Sequence, residues 1–203
     1  MEVLIALLVA TVASFIGSLQ AGLVNTAVLA AALRHGPARA RRMALGGALP
    51  ELLYAAIAFV AADQVLAFTA GLGITPGRVT GLVLVAVGVY VGLFMRPFPP
   101  AEQPSRRGGF WLGLLLGLMN PQLALFWCGV RIGMEAVGIG VHGWAALAGF
   151  SLGAFLGAMG LLLLLIQFAA RMQQRLAGHS TSRIFRGLGL VLVAVGAWVW
   201  LAA

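Results

Sequence analysis

From Val3 to Leu33 the chain runs for 31 residues without a charge. A hydrocarbon core about 30 Å thick is crossed by roughly 20 helical residues, so this stretch alone points to a bilayer. Further apolar stretches of membrane length fall at Met43–Phe68, Val79–Met95, Phe110–Val130, Trp144–Ala169 and Gly187–Ala203. Together the six account for nearly all 203 residues, of which 62% are hydrophobic and 9% charged. A soluble domain carries about a quarter charged residues. In lipid every backbone amide must find its partner inside its own segment, which helices achieve. Barrel strands would alternate, whereas runs such as Leu161–Ile166 are apolar on every side. The expectation is an all-α polytopic membrane protein, one transmembrane domain over residues 1–203 with six spans. Glu2 stands where a signal peptide would carry positive charge, and the apolar run is far longer than an h-region, so no cleavable leader is expected.

The basic residues set an orientation. All 13 are arginine. Arg34, Arg39, Arg41 and Arg42 lie in the first loop, Arg96, Arg106 and Arg107 in the third, and Arg171, Arg175, Arg183 and Arg186 in the fifth. The even loops hold only Arg78 and Arg131. By the positive-inside rule the odd loops are cytoplasmic and both termini lie outside. Trp127, Trp144, Trp198 and Trp200 then fall near the outer interface, as an aromatic belt. Arginines at span ends read as topology, so the net charge of +8 does not imply nucleic acid. The single cysteine, Cys128, excludes a disulfide framework and a cysteine metal cluster.

The octapeptide GLVLVAVG occurs at Gly81–Gly88 and again at Gly189–Gly196, each copy three residues after an arginine. Gly17, Gln20 and Ala21 match Gly117, Asn120 and Pro121 at an offset of 100 residues, and Gly46 aligns with Gly149. These matches suggest two repeats of three spans, about 1–100 and 108–203. Three is odd, so the second repeat must cross the membrane in the opposite sense to the first. Inverted repeats are a plan of many secondary transporters, which bind substrate near the midplane where interrupted helices meet. The corresponding interruptions are Gly17–Asn25 and Gly117–Gln122. A continuous first span would measure about 46 Å at 1.5 Å per residue, too long without tilt or a break. Pro121 removes a donor and frees carbonyls near Gly117 in the fourth span.

Glu51 is the first candidate for chemistry. It follows Pro50 about two turns into the second span, inside an apolar run. An ionised carboxylate there is expensive, so it should be neutral, paired or solvated by a cavity, and it would suit a proton carrier. The alternative is a cytoplasm-proximal Glu reaching toward Arg41 or Arg42. Gln20, Gly22, Asn25, Asn120, Pro121 and Gln122 form the candidate substrate site. Amides offer donors and acceptors without charge, for a polar or zwitterionic solute, or else they bond between helices to hold the bundle. Gly46–Gly47 and the GxxxG pairs Gly113–Gly117 and Gly153–Gly157 suit close helix packing. Arg131 and Glu135 read as a surface ion pair. His35, His142 and His179 show no metal-ligand spacing, so neither metal nor cofactor is expected. The sequence has no P-loop, dinucleotide fingerprint or Ser/His/Asp arrangement, and no enzyme is expected.

Span one runs into Leu33, Arg34, His35 and Gly36, Gly46–Gly47 is followed by an acid at Glu51, and Asn120–Pro121 leads into Leu123–Phe126. In these features, and across essentially its whole length, the chain resembles the lysine exporter and threonine/homoserine exporter superfamily. The resemblance implies gradient-driven export of amino acids or related small solutes across a bacterial cytoplasmic membrane, by a homodimer coupled to protons or another cation. The family's Pro-Gly-Pro is Ala21, Gly22 and Leu23 here, and Gln122 stands where Lys follows Asn-Pro. Those departures leave open another solute class, metal ions among them, and a non-transporting membrane scaffold.

Overall fold

A computed structural model describes residues 1–19, 22–75, 109–120 and 122–176, with scattered positions between 77 and 89 and between 190 and 201. Six helices are defined among the described residues: α1 (Glu2–Gly17), α2 (Leu23–His35), α3 (Pro37–Gly71), α4 (Gly109–Leu118), α5 (Gln122–Ala136) and α6 (Gly143–Leu176). All regular structure among the described residues is helical. Within α3, Pro37–Phe68 is long and apolar enough to cross a membrane, as is Gly143–Ala169 within α6. The pair α4 and α5 makes a third if taken as one bent span. The chain is therefore a helical protein, with two to three membrane-capable helices among the described residues. Most of the third and sixth stretches lies outside the described residues.

Long apolar stretches become helices because only an intrasegment ladder satisfies their amides. Their boundaries are set by glycine, proline and amide side chains. A single residue, Gly36, separates α2 from α3; its φ of 83° is open to glycine at no steric cost. Pro37 then starts α3, where its missing N–H is no loss. Three of the arginines expected in the first loop, Arg39, Arg41 and Arg42, thus lie in the opening turns of α3.

Packing inverts the soluble pattern. On α1, Leu4, Leu8, Val12 and Ile16 form an exposed stripe at four-residue spacing, while Ala6, Ala10 and Ser14 are buried. Large apolar side chains facing outward along a whole helix suit lipid, and small ones facing inward let backbones approach. Ala10 meets Gly153 and Ser14 meets Gly157 of α6, and one turn along a Cβ on Gly149 would stand 2.7 Å from the Val3 carbonyl oxygen. A matching seam joins α3 to α4. Gly46 packs on the Phe110 carbonyl, Gly113 on the Met43 carbonyl, and a Cβ on Gly117 would lie 2.7 Å from Pro50 Cγ. Both GxxxG pairs therefore serve the close packing expected of them.

Candidate functional site at the helix breaks

Both expected interruptions are present. The first apolar stretch divides into α1 and α2 between Gly17 and Leu23, and the fourth into α4 and α5 between Leu118 and Gln122. The axes of α4 and α5 differ by 62°. Each break is sealed by its own polar side chain. At the first, Asn25 Nδ2 donates to the Ser18 carbonyl at 2.6 Å, while Thr26 Oγ1 donates to the Gly22 carbonyl at 2.9 Å. At the second, Asn120 Oδ1 accepts the Gln122 amide at 3.2 Å, an Asx turn that starts α5. Tyr54 of α3 donates its hydroxyl to the Leu118 carbonyl at 2.8 Å, capping the end of α4.

The two breaks adjoin. A Cβ on Gly17 would sit 2.7 Å from the ring tip of Phe126. One stretch of α3 serves both: Gly47 packs on Val24, Pro50 on Gly117, and Tyr54 caps Leu118. Glu51 lies at the centre of this stretch, 8% exposed. Its Oε2 accepts the indole N–H of Trp127, on α5, at 2.6 Å. Trp127 is fully buried between two aromatic neighbours, edge-on to Phe126 at 5.0 Å and to Phe150 at 5.2 Å. A rigid ring wedged on both sides fixes the position of its N–H, and with it the carboxyl group.

Several sequence expectations change. At 1.5 Å per residue Glu51 lies roughly 12 Å past Met43, about two turns into the apolar stretch, within a helix that begins earlier, at Pro37. The Glu51 bond runs to Trp127, not toward Arg41 or Arg42. Trp127 does not anchor an outer interface; a buried carboxyl group and two aromatic rings enclose it. Arg131 pairs with Glu135 at 3.0 Å as expected, but its side chain is fully buried rather than at the surface. Asn25 lies at the first break and Asn120 and Gln122 at the second, and the bonds Asn25 to Ser18 and Gln122 amide to Asn120 are local caps. Gly22 is the extended residue ahead of α2. Gln20 and Pro121 lie outside the described residues.

Tyr54 had no place in the sequence analysis, and Phe126 and Trp127 entered it only as part of an apolar run and as a belt residue, not as neighbours of Glu51. Trp127 stands seven residues after Asn120, two helical turns on, and that spacing from a predicted break was the available signal. Among the described residues, no group of three or more His, Cys, Asp or Glu side chains is placed to hold a metal ion. No family model, curated protein or solved structure matches the chain.

Proposed function

We propose that the chain is a secondary exporter of small solutes, amino acids or related compounds among them, working by alternating access with proton or cation coupling through Glu51. The observation that carries this reading is the meeting of two broken helices at one buried carboxyl group. Irregular backbone at membrane depth is tolerated only where protein covers it or where it lines a cavity. Placing both irregular segments together, against the one buried acid of the described residues, is the plan of a transport site.

The glycine seams support two inverted three-span repeats. The second span of each proposed repeat, α3 or α6, packs through glycines onto the leading half of the other repeat's first span, α4 or α1. A pseudo-twofold relation between the repeats would produce that exchange. On this reading six spans cross a bacterial cytoplasmic membrane, with the arginine-rich ends inside and both termini outside. Asn25, Asn120 and Gln122 border the substrate position, together with Gln20, Gly22 and Pro121. Their resolved hydrogen bonds are the ones that must rearrange as the site opens.

A second reading, a membrane scaffold without transport, is favoured by the direct seating of Gly17 on Phe126, which leaves no gap at that point. One experiment separates them. Uptake of a labelled amino-acid panel into proteoliposomes is measured with and without an imposed pH gradient, for wild type and Glu51→Gln. The exporter reading expects gradient-dependent flux that the variant loses. Undiminished flux in the variant removes Glu51 from coupling, and no flux of any solute discards the amino-acid class and favours the scaffold.

A further inference from the structure

Trp127 is followed one turn later on α5 by Arg131, whose guanidinium is fully buried. Arginine keeps its proton, so this charge is permanent and must be met by neighbours. Nη2 donates to Asp63 Oδ1 on α3 at 2.8 Å and to the Val141 carbonyl, in the turn before α6, at 2.9 Å. Nη1 donates to Glu135 Oε2, within α5 itself, at 3.0 Å. The guanidinium carbon stands 4.9 Å over the ring of Phe59, one more group from α3. His142 Nδ1 is 3.4 Å from Nη2, and the His142 amide donates to Glu2 at the start of α1 at 3.3 Å. One buried cation thus gathers α3, α5 and the turn before α6, and through His142 the head of α1.

Three features give this cluster a direction. It lies at the end of the bundle remote from Arg34, Arg39, Arg41 and Arg42, which is the outer end under the proposed topology. It sits on the same face of α5 as Trp127, so it stands directly between the Glu51 site and that end. The aromatic column Trp127–Phe150–Phe59, with centroids 5.2 and 5.6 Å apart, fills the space between. Close packing of small residues already suffices to hold helices together in a bilayer, so a buried charge, which is costly to desolvate, points to a further use. A charge cluster is separable, because water replaces its partners once a path opens.

We propose that Arg131 is the outer gate of the transport path: its bonds to Asp63 and to the Val141 carbonyl close the space above Glu51, and opening to the outside parts them. The inference rests on the exporter reading, but its test does not require flux. Cys128 is the chain's single cysteine, half-buried on α5 between Trp127 and Arg131. A charged, membrane-impermeant thiol reagent added to the outside of proteoliposomes therefore reports whether water reaches the space below the cluster.

The expected result is slow labelling of wild type and at least tenfold faster labelling of Asp63→Asn and Arg131→Lys. Glu135→Gln is the internal control. The bond it weakens closes within α5, so the interhelical tie survives and the rate should stay within about threefold of wild type. Rapid wild-type labelling overturns the gate, as do wild-type rates in both Asp63→Asn and Arg131→Lys. An equal rise in Glu135→Gln also overturns it, since that would mark general loosening of the bundle. If Arg131→Lys does not fold, Asp63→Asn decides alone, because that aspartate is 46% exposed and its neutralisation leaves Arg131 the Glu135 carboxylate and the Val141 carbonyl as partners. Absence of flux in wild type would sink the exporter reading while leaving the labelling result to stand on its own.

Discussion

Gly157→Ala and Gly160→Ala, three residues apart on α6, should move stability in opposite directions. A Cβ at Gly157 would stand 2.6 Å from Ser14 Cβ and 2.8 Å from the Phe15 amide nitrogen, and nearer still to the Thr11 carbonyl oxygen. Ordinary contact begins at 3.4 Å, so against Ser14 alone the overlap is about 0.8 Å, the difference between 3.4 and 2.6 Å. The neighbours are mostly backbone and cannot swing aside, so α1 must back away from α6. That movement stretches the bond from Ser14 Oγ to the Ala154 carbonyl, now 2.7 Å. Overpacking of this kind costs about 1–3 kcal/mol. At Gly160 the nearest atom, Phe15 Cδ2, is 3.9 Å away, so a methyl group meets only ordinary contact. There alanine's better helix propensity should stabilise by up to about 1 kcal/mol. For a chain of this length 1 kcal/mol moves the thermal midpoint by roughly 2–4 °C. Thermal unfolding of both variants in one detergent therefore tests the seam: Gly157→Ala should melt on the order of 2–12 °C lower, and Gly160→Ala no lower than wild type. A Gly157→Ala protein as stable as wild type would refute the close approach of α1 and α6.

Two other substitutions probe the site. Trp127→Phe keeps a ring but removes the donor to Glu51, and should cost about 1–3 kcal/mol by thermal unfolding. The same change in a Glu51→Leu background should cost less, because no carboxyl group is then left unpartnered; equal costs in both backgrounds would show that the bond contributes nothing. Asn120→Ala removes the Asx turn at the head of α5 and should destabilise by about 0.5–2 kcal/mol. It should also shift the solute concentration for half-maximal flux, whereas a purely structural cap would leave that value unchanged.

Helices, membrane environment and the two breaks were legible because each depends on local chemistry. Uncharged runs of membrane length can satisfy their amides only as helices, and Gly17, Asn25, Asn120 and Pro121 announce where those helices fail. Their partners were not legible. Trp127 looks like a belt residue because tryptophan favours interfaces on average, and one sequence does not tell which tryptophan has a carboxyl group waiting on another helix. Arg131 looks like a surface charge for the same reason: burial of an arginine depends on Asp63, Glu135 and Val141 converging, and Asp63 is 68 positions away in the chain.

The sequence by itself therefore determined that the chain is helical, that it suits a bilayer, and where its helices are interrupted. Hydropathy, charge spacing and backbone hydrogen bonding act over a few residues and carry that much. Only the tertiary structure decided that Gly17 meets Phe126, that Glu51 meets Trp127, and that one buried arginine joins α3, α5 and the turn before α6. In lipid, apolar surfaces gain little from one another, so helix pairing turns on the fit of small residues and on bonds between distant polar groups.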